Sequence, residues 1–356
     1  MQALSTAGFH HVTMVSGDAG RTLAFYREVL GLGLVKKTVN FDDPGSYHLY
    51  FGDAAGRPGT ILTFFEWKGM PRGTPGIGGV HHLALGVRGD AELLMWKRWL
   101  TDHQVPVSGP YDRGYFTSLY FRDPDGQILE IATAGPGYTT DEPFESLGTG
   151  LMTPPQRIVA GHRDEAAIAA LTHPEPVVRI APEMALSGIH HVSGITDDLV
   201  RAGEFYEAAL GLRLVKRTTN RDDPSQLHYF WARMDEDGVA PHSSMTLFGW
   251  PSHWKRTRGG VGQMHHVAFR AKDDDEQNAW LDHLRSMGIE TSPVTDRSYF
   301  RSIYFRAPDG LLVEIATDGP GFAVDEPAGT LGRRLKLPAW LEESRGDIEG
   351  SLAPIG

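Results

Sequence analysis

Four adjacent histidine pairs and two glutamates give this 356-residue chain the means to hold a metal ion. The pairs are His10-His11, His81-His82, His190-His191 and His265-His266, and each opens an apolar run of strand character. Glu130 sits within Ile128-Leu129-Glu130-Ile131, and Glu314 within Leu312-Val313-Glu314-Ile315. A carboxylate in an apolar strand is costly to bury unless it is paired, protonated or metal-bound. Neighbouring strand residues point to opposite faces, so at most one histidine of each pair is expected to face a shared interior site. A lone histidine here would be an ordinary core or strand-end residue, and a lone glutamate a sheet-edge one. The repetition argues otherwise: Glu130 follows His82 by 48 positions, and Glu314 follows His266 by the same 48. Two histidines and one carboxylate can hold Fe(II) while leaving coordination positions open for substrate and dioxygen.

Composition removes the other common chemistries. There is no cysteine, so disulfides, thiolate nucleophiles and cysteine-held zinc or iron–sulfur sites are excluded. The formal net charge is −11, and no Lys/Arg-rich run offers the basic face that nucleic acid requires. No stretch approaches the roughly 18 apolar residues of a membrane span. The opening MQALSTAGFHH lacks the basic and apolar regions of a signal peptide, so a cytoplasmic protein is expected.

The elements that must position these residues are repeated. GFHHVTMVSGDAGRTLAFYREVLGLGLVKKTVNFDDP from Gly8 returns as GIHHVSGITDDLVRAGEFYEAALGLRLVKRTTNRDDP from Gly188. VHHLALGVRGD from Val80 matches MHHVAFRAKDD from Met264, and YDRGYFTSLYFRDPDGQILEIATAGPG from Tyr111 matches TDRSYFRSIYFRAPDGLLVEIATDGPG from Thr295. The offset grows from 180 to 184, which puts about four inserted residues near 234–239. Each half is itself double. Leu23, Phe25, Tyr26, Val29 and Leu30 fall near helical spacing, with Gly31 or Gly33 as the stop. Strands are expected at 46–51 and 60–67, a helix at 93–100, and strands at 117–122 and 127–133 joined by the Asp123-Pro124-Asp125-Gly126 turn. The fold class is therefore α+β, a βαβββ module occurring four times. Residues 1–145 form a first half (modules 8–70 and 80–138), 146–187 a connector with a short helix near 164–171, 188–340 a second half (modules 188–250 and 264–322), and 341–356 a tail.

The paired βαβββ modules resemble the vicinal oxygen chelate superfamily (glyoxalase, bleomycin resistance and extradiol dioxygenase proteins). HHVTMVSGD, FYREVLGLGLVKKTVNFDDPGSYHLYFGD, the VHH and MHH openings, the PDG turns, EIAT and DEP resemble more narrowly the hydroquinone-type ring-cleaving dioxygenases. The likeness covers roughly 8–138 and 188–340. It implies two pseudo-symmetric vicinal-oxygen-chelate domains, Fe(II) or Mn(II) as cofactor, and a small dihydroxylated aromatic substrate cleaved with O2. The implied ligand is the second histidine of a pair, seven before an acidic residue: His11, His191 and His266, before Asp18, Asp198 and Asp273. With the first module paired to the fourth, the implied metal triad is His11, His266 and Glu314, supported by His10, Thr13, His265, Arg297 and Tyr304. Thr13 as a plain strand residue and Arg297 in a surface ion pair are equally ordinary readings. This chain departs from that pattern by carrying a second full set, His191, His82 and Glu130, with His190, Ser193, His81, Arg113 and Tyr120 in the supporting places. Sequential pairing of modules would use the same six ligands as His11/His82/Glu130 and His191/His266/Glu314. Tyr299 and Phe300 are aromatic side chains that could flank a bound ring or pack in the core.

Other classes remain. A glyoxalase-like isomerase or lyase needs a fourth protein ligand, and Thr63/Thr246 and Phe65/Phe248 supply no shared carboxylate on the strands expected to carry it. A metal-free, drug-sequestering protein of this fold has no use for complete triads. A zinc hydrolase would need a general base, and no HExxH is present. The connector and tail could pack on their own domains or on a second copy in a homo-oligomer.

Overall fold

The computed structural model describes residues 4–236 and 238–356. Module one comprises β1 (Phe9–Ser16), α1 (Ala19–Ala24), β2 (Gly33–Asn40), β3 (Asp43–Gly52) and β4 (Ile61–Glu66). Module two comprises β5 (Val80–Val87), α2 (Asp90–Asp102), β6 (Ser108–Asp112), β7 (Phe116–Arg122) and β8 (Ile128–Pro136). Module three comprises β9 (Ile189–Thr196), α3 (Leu199–Leu210), β10 (Arg213–Thr219), β11 (Leu227–Ala232) and β12 (Ser244–Gly249). Module four comprises β13 (Met264–Ala271), α4 (Asp274–Ser286), β14 (Thr295–Asp296), β15 (Arg301–Arg306) and β16 (Leu312–Thr317).

The modules pair out of chain order. One sheet runs β14-β15-β16-β13-β1-β4-β3-β2, and the other β6-β7-β8-β5-β9-β12-β11-β10. Module one thus shares a sheet with module four, and module two with module three. A short strand from the connector, Leu151–Met152, extends the second sheet beside β10. In the first sheet Leu335 of the C-terminal region makes the matching bridge to Lys37. The residues inserted between repeats form a two-stranded hairpin, Met234–Asp235 against Gly238–Val239.

Local chemistry explains the module. Asp18, Asp198 and Asp273 cap α1, α3 and α4, their side chains accepting from backbone N–H groups of the first turn. The acidic residue seven after a histidine is therefore a helix cap, and module two has Gly89 in that place. The first helix passes at Phe25–Val29 into a π-turn, whereas α3 is α-helical throughout; Gly31 and Gly211 end the two with φ of 68° and 63°, where glycine is unstrained. On the central strands the apolar alternates Val12, Leu83, Val192 and Val267 are fully buried. Each such side chain contributes roughly 1.5–3 kcal/mol. Among the described residues no helix is long and apolar enough to cross a membrane.

Candidate functional site

The antiparallel seam between the central strands brings the histidines together. His11 lies opposite Ala268 and Thr13 opposite His266, while the parallel neighbour β16 sets Glu314 beside Ala268. The second sheet repeats this register: His191 opposite Ala84, Ser193 opposite His82, and Glu130 beside Ala84. Residues in one cross-strand row share a face, and positions two apart along a strand share it too. The result is two compact triads. His11 Nε2 is 3.3 Å from His266 Nε2, and Glu314 Oε2 is 2.9 Å from His266 Nε2 and 3.4 Å from His11 Nε2. In the other, His82 and His191 Nε2 are 3.2 Å apart, with Glu130 Oε2 2.9 Å from His82 and 3.4 Å from His191.

The donor sets fit a divalent cation. Both carboxylates are completely buried, and Ser302 and Ser118 each donate to one oxygen, Oε1, at 2.5 Å. The other oxygen, Oε2, accepts no hydrogen bond in either triad, although two imidazole nitrogens lie beside it. A buried carboxylate oxygen without a donor is a costly orphan, and a metal ion shared with the two rings would satisfy it. Burial pushes Glu314 and Glu130 upward, but the neighbouring histidines outweigh it and hold both well below the usual carboxylate range. Burial lowers His82 and His266, against the pull of their glutamates. An anionic carboxylate is the protonation state that metal ligation requires of a glutamate.

The first histidine of each pair sits where strand register slips. Between Phe9 and His11, and between Ile189 and His191, one strand carries an extra residue, His10 or His190; on the partner strands the extra residue is His265 or His81. The bulge defeats simple alternation, so both rings of a pair come to the same side. Their Nδ1 atoms are 2.8 Å apart in all four pairs. One Nδ1 must donate and the other accept. If the second histidine keeps its Nε2 lone pair for a metal, its Nδ1–H donates to the first. The leading histidines are thereby placed where they could orient the ligand rings, and burial together with the adjacent ring pushes His81, His190 and His265 down to about 3.

Around the triads, Arg297 Nε donates to the Tyr304 hydroxyl at 3.2 Å and Arg113 Nε to Tyr120 at 3.1 Å. Thr13 and Ser193 turn to Thr63 and Thr246, at 2.8 and 2.7 Å. Sequence reasoning passed over His48 and His228, whose Nε2 atoms share those same threonine hydroxyls at 2.9 Å, and over Ser118 and Ser302. The available signal was repetition, since His48 and His228 are 180 positions apart, as are the central histidines of their modules. Phe300 packs on His10 and His11, with ring centroids 4.9 and 5.1 Å away. Tyr299 turns from the site to hydrogen-bond Asp325 and belongs to the core. No carboxylate on β4 reaches the first triad: Glu66 accepts from the Ala19 amide instead. The space beside the two triads differs greatly. The Glu130 triad opens on a cavity of about 650 Å³, whereas about 20 Å³ remains beside Glu314.

Known proteins share this arrangement of modules. The family model of the glyoxalase/bleomycin resistance protein/dioxygenase superfamily matches residues 8–131 and 188–315. A Bacillus subtilis (strain 168) protein named "Putative ring-cleaving dioxygenase MhqO" is 34% identical over 353 residues, covering 99% of this chain and 98% of that relative. The "Chlorohydroquinone/hydroquinone 1,2-dioxygenase" of Sphingobium indicum is 28% identical over 96% of this chain and 94% of its own. A crystal structure of a "putative dioxygenase" from B. subtilis superposes with a TM-score of 0.78 at 33% identity, covering 99% of both chains.

Proposed function

We propose that this chain, which belongs to the glyoxalase/bleomycin resistance protein/dioxygenase superfamily, is a non-haem Fe(II)-dependent dioxygenase that opens a dihydroxylated aromatic ring, of hydroquinone type. The observation that carries this reading is the pair of buried two-histidine, one-glutamate sets, each with one carboxylate oxygen left without a hydrogen bond. Three protein ligands leave room for both a phenolic oxygen and dioxygen, while a glyoxalase-type site would fill a further position with carboxylate. The names of the two relatives, a ring-cleaving and a hydroquinone dioxygenase, support the substrate class.

Bound in such a triad, Fe(II) would supply Lewis acidity toward a phenol and electrons toward dioxygen. The rest is work for the chain's own residues. Burial raises Tyr120 and Tyr304 well above the usual phenol range, so both keep their protons. Because the arginine beside each tyrosine donates to its oxygen, the hydroxyl hydrogen is free to donate in turn toward an oxygen held at the triad. His10 and its equivalents orient the ligand rings. The aromatic walls exclude water and hold a flat ring close to the reacting partner, which lowers the entropic cost of the encounter.

Oxygen uptake by protein reconstituted anaerobically with Fe(II) tests the reading, across hydroquinones, catechols and an α-ketoaldehyde–thiol adduct. Uptake with loss of the aromatic absorbance is expected with a hydroquinone. Isomerisation of the adduct without uptake on any diol would overturn the proposal. Repeating the assay with Mn(II), which the same donors accept, identifies the working metal.

A further inference from the structure

The two triads have the same ligands and distances, but they face different spaces. We propose that the aromatic diol is received at the Glu130 triad of modules two and three, and that the Glu314 triad is closed to a ring. This inference rests on the dioxygenase reading above.

The first observation is volume and what fills it. About 20 Å³ beside Glu314 is room for roughly one water molecule. About 650 Å³ beside Glu130 lies within the usual range for small-molecule sites, roughly 300–1,000 Å³, and leaves space for ring substituents. Phe41 and Arg221 occupy equivalent positions in the two repeats. Phe41 lines the small space and packs edge-on against Trp340 of the C-terminal region, their centroids 5.6 Å apart. Arg221 instead folds back, its guanidinium donating to Thr218 Oγ1 at 2.8 Å and to the Thr219 carbonyl at 2.6 Å. The mouth on that side is lined by the connector's Arg163, which shares Asp222 with Arg113 and lies 4.1 Å over the Tyr111 ring.

The second observation is independent of volume. In the Glu314 site, the Tyr50 hydroxyl lies 3.0 Å from His48 Nδ1 and His48 Nε2 meets Thr63, so both ring nitrogens are engaged. In the Glu130 site Phe230 stands where Tyr50 stands. No hydroxyl from that position reaches His228 Nδ1, and His228 lines the large cavity with a nitrogen available to a ring hydroxyl. Phe248, stacked on His228 at 4.0 Å, and Phe230 form an aromatic wall beside it. Both sites have an aromatic wall, Phe65 and Tyr50 packing on His48 as Phe248 and Phe230 pack on His228, but the Glu130 site alone of the two adds space and an uncommitted polar group.

Calorimetric titration of zinc-loaded protein under argon with hydroquinone, chlorohydroquinone and catechol tests this without turnover. One diol per chain is expected. Val107→Trp and Ser108→Trp, which add bulk to the wall and the solvent-facing rim of the large cavity, should each weaken binding at least tenfold while zinc content stays as in the parent. Phe41→Trp, at the closed site, should bind as the parent does. Two diols per chain, or binding lost in Phe41→Trp and kept in both cavity variants, would overturn the assignment of the site and leave the dioxygenase reading intact. Failure of the zinc-loaded parent to bind any diol would count against the dioxygenase reading itself, and this inference would fall with it.

Discussion

The Nζ of Lys36 lies 2.5 Å from Glu326 Oε2, joining β2 to a residue 290 positions later, and the lysine side chain is wholly buried. Asp325 is a second partner at 2.6 Å. Lys216 repeats the arrangement with Asp141 and Glu142 in the other sheet. The DEP segments are thereby tied to the sheets whose sites they adjoin. Removing one partner of a buried ion pair leaves the other charge uncompensated, a loss of about 3–5 kcal/mol. Lys36→Met should therefore lower the thermal midpoint by on the order of 10 °C. Lys36→Met combined with Glu326→Met should recover most of that loss in the same melting experiment; an equal or larger drop would refute this account.

Tyr26 donates to Asp123 Oδ2 at 3.1 Å, linking module one to the turn of module two. Burial, with Asp125 adding to it, pushes the Asp123 carboxyl up to about 6, against hydrogen bonds from Gln127, Tyr26 and Asp125. Between the unfolded value near 4 and about 6, the folded protein holds a proton that the unfolded chain releases. Stability should thus fall as pH rises through that window, by about 2–3 kcal/mol from this group. Asp123→Asn should flatten that part of the profile in denaturant titrations at pH 4 to 7. An unchanged slope would show that other groups set it.

Each triad should bind one metal ion. Well-loaded parent protein is expected to carry two per chain by elemental analysis, and Glu314→Ala and Glu130→Ala one each. A parent saturating at a single ion would refute occupancy of both sites.

His190 orients His191 through the 2.8 Å contact of their Nδ1 atoms. Loss of such a partner typically costs 10- to 100-fold in metal affinity. His190→Leu should show that loss at one of the two ions in chelator competition, with the other unaffected. Unchanged release of both ions would make the contact incidental.

Much of this was legible in one dimension. The strand at 128–131 could be recognised from its apolar run, and Glu130 stood out because a charge there needs a partner. The capping role of Asp18, Asp198 and Asp273 emerged only with the helices in place. His48 and His228 were missed because a histidine in an alternating strand carries no local mark of function; only their recurrence at the repeat offset could have flagged them. For Tyr299 and Phe300 the choice between flanking a ring and packing in the core stayed open for a related reason, since periodicity places a side chain on a face without saying whether that face meets a cavity or the core.

The six metal-ligand candidates, their duplication and the βαβββ pattern belong to the sequence alone, because residue type and spacing along the chain define them. Three things were decided only by tertiary structure. Pairing of β1 with β13 and of β5 with β9 selected His11/His266/Glu314 and His191/His82/Glu130 from sets that equal spacing left equivalent. Register slips at His10, His81, His190 and His265 turned adjacent histidines into hydrogen-bonded pairs. Phe41 against Trp340 on one side, and Arg221 folded back on the other, made one site narrow and one wide. Each depends on contacts between segments far apart in the chain, and strand alternation carries no record of which distant strand lies alongside.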